Sequence, residues 1–165
     1  MEENSKKPEE ILGRLLRGSS KTLSVAESCT GGRISHLVVS VPGASEYYLG
    51  SVTSYSEAIK NKILGVGEDL IRDHGIVSSE VAAAMAEGVR ALLGSTYSVA
   101  TTGWADSYGD EWEPAGTVWI GICTPKGTKT FKIRHNYDRN RNIELFASSA
   151  LQGLVEEIES EDNSV

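Results

Sequence analysis

A mixed sheet covered by helices on both faces is the fold that this 165-residue sequence predicts, and two observations predict it. Strand-like and helix-like segments alternate through the first half of the chain, the pattern of strands joined by helical crossovers. Two further strand-like runs then meet at Pro125-Lys126-Gly127, a turn that makes them an antiparallel hairpin, and a long amphipathic helix follows. The length fits one domain with a substantial core, residues 1–165, folded over about residues 8–158.

Each element has its own signal. Ile11, Leu12, Leu15 and Leu16 have helical spacing after a charged start that is expected to fray. The alternation Thr22-Leu23-Ser24-Val25 predicts a strand over Leu23–Ala26, and Ile34, Leu37, Val38 and Val41 a helix over Gly31–Val41, stopped by Pro42-Gly43. Tyr48–Tyr55 is β-branched and aromatic and reads as a second strand. Ser56–Leu64 reads as a helix closed by Gly65, and His74 is a favourable charge at the end of a short helix over Asp69–His74. Ser78 is an N-cap for a long helix with Val81, Met85, Val89 and Leu92 on one face, ended by Gly94. Tyr97–Thr102 is apolar enough for a buried strand, and Gly116–Thr124 and Thr128–Arg134 form the hairpin. Ile143, Phe146, Ala147, Ala150, Leu151, Leu154 and Ile158 make the stripe of the last helix, after which the acidic Glu159–Val165 reads as a disordered tail.

The composition excludes several functions. Hydrophobic residues make up 39% and charged residues 24%, an ordinary balance for a soluble globular protein. A net charge of −7 argues against a sequence-independent nucleic-acid binder. No run of 18 apolar residues predicts a membrane span, and Met1-Glu2-Glu3-Asn4 is too acidic for a signal peptide. Cys29 and Cys123 make neither a disulfide framework nor a C-x-x-C pair, so a reducing cytoplasm is the expected compartment. His36, His74 and His135 are scattered, which supports neither a metal site nor a Ser-His-Asp triad.

The densest chemistry lies at Ala26-Glu27-Ser28-Cys29-Thr30-Gly31-Gly32, between the first strand and its helix. A small nucleophile followed by two glycines at a helix N-terminus suits either a phosphate or a developing oxyanion, and the local sequence does not choose. An ordinary turn with Thr30 as N-cap fits the same residues. A serine nucleophile needs a base. With no histidine in range, Lys60, in the helix after the second strand, is the alternative, assisted by Tyr55 five residues earlier. Such a lysine works only if burial keeps it neutral, and most lysines are solvated surface charges. Cys29 is the rival nucleophile, because a helix N-terminus lowers a thiol pKa; Cys123 reads as core. Asp106, Asp110, Glu111 and Glu113, interleaved with Trp104, Tyr108 and Trp112, suit either a cationic ring or a solvated loop. Arg134, Arg139 and Arg141 suit a phosphate or the open surface.

These segments together resemble the CinA C-terminal domain family: Ala26–Gly32, Pro42-Gly43, Gly50, Tyr55, Lys60, Leu64-Gly65-Val66, Gly75-Ile76-Val77-Ser78, Met85-Ala86-Glu87-Gly88, Thr102-Gly103 and Gly116-Thr117-Val118. The resemblance runs from about Leu23 to Leu154. It implies a three-layer α/β/α sandwich with a mixed parallel and antiparallel sheet, commonly a homo-oligomer, without metal or organic cofactor. It also implies a nicotinamide-nucleotide amidase, which hydrolyses the carboxamide of nicotinamide mononucleotide to nicotinate mononucleotide and ammonia. In that family some members fuse this domain to a molybdopterin-binding-like one; here it is expected to stand alone. Ser28 matches the family's nucleophile, Lys60 its base and Tyr55 the tyrosine that assists them. Cys29, Thr30, Gly31 and Gly32 match the turn that holds the substrate and its oxyanion, Thr102 and Gly103 a segment lining the pocket, and Arg139 an arginine suited to the substrate phosphate. The loop Trp104–Pro114 departs from the family: it lacks a Gly-Pro, one glycine and a lysine, and carries added bulk and negative charge. Ile143 stands where a second arginine is usual, with Arg141 as a substitute. The resemblance therefore bears more firmly on the chemistry than on the substrate, and a nucleotide-binding member without turnover is the alternative.

Overall fold

The computed structural model describes residues 6–164. In chain order the elements are α1 (Pro8–Leu16), β1 (Leu23–Glu27), α2 (Arg33–Val39), a 3-10 turn at Ala44–Glu46, β2 (Tyr48–Thr53), α3 (Glu57–Leu64), α4 (Glu68–His74), α5 (Ser79–Leu93), β3 (Tyr97–Gly103), β4 (Thr117–Thr124), β5 (Gly127–Arg134) and α6 (Arg139–Asn163). The strands form one sheet in the order β2-β1-β3-β4-β5. β1 is parallel to both β2 and β3, while β3–β4 and β4–β5 are antiparallel. The three-layer α/β/α sandwich with a mixed sheet is thus present.

Alternation along the strands divides the core in two. Leu23 and Val25 of β1, with Tyr97 and Val99 of β3, face the layer that contains α1, α2 and α6. Ala26 and Ala100, pointing the other way, meet Val81, Met85 and Val89 of α5. All five residues of β1 are buried, as a central strand covered on both faces requires. From β1 the chain crosses to β2 on one side, then returns over β1 to β3 on the other. The loops after β1 and β3 therefore leave in opposite directions from neighbouring carboxyl ends, which opens the crevice where ligands bind in such sheets.

Local chemistry sets the helix ends. Ser56, Ser78 and Asp138 accept from the backbone N–H groups of Ile59, Val81 and Arg141 at 3.3, 3.2 and 3.0 Å, capping α3, α5 and α6. α2 begins two residues later than its apolar spacing predicts, because Gly31 and Gly32 have φ of +56° and +102° and cannot be helical. β2 ends at Thr53, short of the predicted Tyr55, where Ser54 turns out of the sheet. The acidic segment read as a disordered tail is corrected by the structure: α6 continues to Asn163. Its carboxylates find partners on the turns below, Glu161 accepting from the Thr124 hydroxyl and Asp162 lying 3.4 Å from Lys21 Nζ. The charged start, up to residue 5, lies outside the described residues.

One close approach holds the second helical layer together. The Gly88 backbone in α5 sits against the Leu64 carbonyl at the end of α3, where a Cβ would collide with the oxygen. A backbone carbonyl cannot swing aside as a side chain can. Gly88→Ala is expected to destabilise the fold by about 1–3 kcal/mol, as overpacking does, read as a lower urea midpoint. A neutral or stabilising effect would contradict this packing.

Candidate active site

The alternation that builds the core also sorts the residues at the end of β1. Glu27 continues the Val25 side and points toward α2; Ser28 is turned to the opposite side, toward α3. The Glu27 carboxylate is fully buried. Its Oε1 accepts from the Thr30 hydroxyl at 2.7 Å and the Ile34 N–H at 2.9 Å. Its Oε2 accepts from the Ser35 N–H at 3.1 Å and the Ser35 hydroxyl at 2.6 Å. Four donors satisfy the charge, and the carboxylate complements the positive end of α2. Glu27, rather than Thr30, provides the side-chain capping of this helix, whose N-cap position is Gly32. The Thr30 hydroxyl is held beneath the turn, 2.9 Å from that of Thr101.

Lys60 lies in the first turn of α3 with only 1% of its surface exposed. Its Nζ donates to Ser28 Oγ at 2.8 Å and to the Ser54 carbonyl at 2.6 Å. Both partners are neutral oxygens, so no hydrogen-bonded carboxylate offsets the desolvation of an ammonium. Burial accordingly lowers the Lys60 pKa from its ordinary 10.5 to about 8, with the Glu57 carboxylate opposing. A neutral amine is thus accessible near physiological pH, beside a hydroxyl it can deprotonate.

Of the two nucleophiles that the turn offers, Cys29 is the one that its surroundings make harder to ionise. Burial pushes its pKa up to about 12, against a small opposing effect of Lys60. The N–H groups of α2 that would have stabilised a thiolate are taken up by Glu27. Cys29 stays a thiol, and its side chain is a buried wall of the site. Among the described residues, no backbone carbonyl takes the Cys29 N–H. The Gly31 N–H, by contrast, is bonded to the Ser28 carbonyl at 3.0 Å.

Ser28 and Lys60 open into a cavity of about 250 Å³ at the β1–β3 crevice. Of the residues singled out from sequence, Ser28, Cys29, Tyr55, Lys60, Thr102, Gly103 and Arg139 line it, whereas Thr30, Gly31 and Gly32 do not. No histidine lines it among the described residues. Thr102 donates to the Ile76 carbonyl at 2.7 Å, which fixes the far wall. Tyr55 is not bonded to Ser28 or Lys60; its hydroxyl accepts from Arg139 Nη2 at 3.1 Å at the cavity mouth. Arg139 Nη1 donates to Asp106 Oδ1 at 2.8 Å. Arg141 pairs with Glu144 at 3.6 Å outside the cavity. The acidic loop is largely self-contained: Asp110 accepts from two of the loop's own N–H groups, and Glu113 from the Trp119 indole and Lys132. Only Asp106 turns to the cavity, beside Trp104 and Tyr108, whose rings meet edge to face at 4.9 Å. Glu27 and Asp106 are the two site residues that the sequence did not single out for these roles. An acid adjoining the nucleophile at a strand end was the available signal for Glu27.

An α/β/α sandwich with a serine–lysine pair at its switch point is the class of protein that fold and site define. Within that class, the chain belongs to the CinA C-terminal domain family, whose sequence profile matches residues 5–158. It is 48% identical to a CinA-like protein of Salinibacter ruber over 147 residues, 87% of this chain and 35% of that protein. It is 45% identical to a CinA-like protein of a Thermotoga species over 152 residues, 92% of this chain and 36% of that protein. The chain therefore spans about a third of the length of these relatives. Among solved structures, it resembles the competence damage-inducible protein A of Klebsiella pneumoniae at a TM-score of 0.88 and 27% identity, covering 93% of this chain and 98% of that one. A CinA superfamily protein of Enterobacter cloacae gives 0.90 and 26%, with 96% of each chain covered.

The buried amine has a thermodynamic consequence. Its folded pKa lies below its unfolded value, so between pH 8 and 10.5 the unfolded chain binds more protons and stability rises with pH. Lys60→Met removes this group while filling the same space. At pH 7 the variant is expected to be at least as stable as the parent, by up to about 3 kcal/mol. The difference should shrink as the pH rises from 8 to 10.5. Urea unfolding across that range checks it; a Met variant much less stable at every pH would contradict it.

Proposed function

We propose that this chain is an amidohydrolase that releases ammonia from a carboxamide, with Ser28 as nucleophile and Lys60 as its base. The observation that carries this is the 2.8 Å contact between a buried lysine amine and the serine hydroxyl. In the proposed reaction, neutral Lys60 Nζ accepts the Ser28 Oγ proton as Oγ attacks the carboxamide carbon. The Cys29 N–H, immediately after the nucleophile and without a backbone acceptor among the described residues, donates to the oxyanion. The resulting Lys60 ammonium gives its proton to the departing nitrogen, and the C–N bond breaks to release ammonia. Water, deprotonated by the same amine, then hydrolyses the acyl ester and restores Ser28. Tyr55 acts at the mouth through Arg139 rather than as a proton relay.

The sequence resemblance makes nicotinamide mononucleotide the first substrate to assay, and a role among competence and damage-inducible proteins accords with the family. Ser28→Ala is expected to lower kcat for ammonia release by more than about 10³-fold. Lys60→Ala should lower it by about 10²–10⁴-fold, and Cys29→Ser should leave it within a few-fold. Because the free amine is the active form, kcat/KM should rise with pH through a midpoint near 8. Loss of activity in Cys29→Ser with retention in Ser28→Ala would replace this reading with a thiol mechanism. Saturable binding with no ammonia from any carboxamide would replace it with a binding module.

A further inference from the structure

The mouth of the cavity holds a guanidinium that is already engaged. Arg139 directs Nη1 at Asp106 and Nη2 at Tyr55, at 2.8 and 3.1 Å. These are the two terminal nitrogens that would form the paired hydrogen bonds of an arginine–phosphate contact. Asp106 also cancels the charge that a phosphate would need, and a dianion seated at Arg139 would lie beside its carboxylate. Among the described residues no other arginine lines the cavity, and Lys60 Nζ is committed to Ser28 and the Ser54 carbonyl at its floor. The space agrees with the charge. About 250 Å³ is below the ~300–1,000 Å³ usual for drug-sized ligands, and the Trp104 and Tyr108 rings narrow the space beside Asp106.

We infer that Asp106 determines specificity at this site, selecting carboxamides that carry no phosphate at the Arg139 end, of the size of a nucleoside or smaller. The inference rests on the amidohydrolase reading for the placement of the carboxamide at Ser28. Asp106 acts as a charge in two ways: it holds Arg139 away from an incoming anion, and it repels that anion directly. A neutral side chain of the same shape removes the repulsion and weakens the hold on Arg139 to an uncharged hydrogen bond, while a longer carboxylate keeps both effects. Discrimination of this origin weakens as salt screens it.

Nicotinamide riboside and nicotinamide mononucleotide share a carboxamide and differ by one phosphate, which makes them the test pair. Their binding is measured by calorimetry on Ser28→Ala protein, alone and combined with Asp106→Asn or Asp106→Glu. Ammonia release is measured on the parent with both compounds. The riboside is expected to bind at least about fivefold more tightly than the mononucleotide. Asp106→Asn should shift that ratio about tenfold toward the mononucleotide and let inorganic phosphate compete. Asp106→Glu should preserve the preference, and raising NaCl from about 0.05 to 0.5 M should compress it. Equal or tighter binding of the mononucleotide, an unchanged ratio in Asp106→Asn, or no binding of either compound overturns the inference. Ammonia released from the mononucleotide at the higher kcat/KM overturns it while leaving the amidohydrolase reading in place. No ammonia from either compound, with the binding preference intact, overturns the amidohydrolase reading and leaves charge selection in place.

Discussion

A lysine amine buried against neutral oxygens is the constraint on which the site depends. Charge at Lys60 Nζ is costly where only the Ser28 hydroxyl and the Ser54 carbonyl meet it. A fold selected only for stability would fill that position with an apolar side chain. The same desolvation that costs stability brings the neutral amine within reach near pH 8, the property a general base requires. Stability and reactivity are thus traded at one side chain.

The surrounding framework keeps that pair in register. Period-two alternation at the end of β1 sends Glu27 to one layer and Ser28 to the other, so neighbouring residues perform different tasks. Glu27 gathers Thr30, Ile34 and Ser35 and fixes the turn from behind. Ser28, in front, meets a helix whose own position is set by the contact of Gly88 with the end of α3. The parallel pairing of β1 with β2 then places Ser54 where its N–H meets Glu27 and its carbonyl meets Lys60. The backbone, rather than a second charged residue, completes the amine's surroundings.

Local features were legible in the sequence; long-range pairings were not. The strand–turn–helix punctuation, the serine caps and the hairpin turn all act within a few residues, and the elements they announce are present. Ser28 and Lys60 were legible as a pair because parallel neighbouring strands bring the starts of their following segments together. Thr30 does not cap α2 because an acid three residues earlier, Glu27, reaches the helix N-terminus first. The rival reading of Cys29 as nucleophile loses ground because burial outweighs a helix terminus whose donors are already used. Tyr55, Asp106 and Arg139 meet from three separate loops and helix ends, and no local rule pairs them. The acidic end of α6 reads as unstructured by composition alone, since its partners, Lys21 and Thr124, lie far away in sequence.

The state of Lys60 is the most direct measure of this account. Protein carrying 13C-labelled lysine methylene carbons, with Lys60→Met to assign the resonance, allows its titration to be followed by NMR. A midpoint near 8 for Lys60, well below the ordinary lysine value of 10.5, is the predicted result. A Lys60 that titrates at the ordinary lysine value of 10.5 or above would contradict a buried amine poised to take the proton of Ser28.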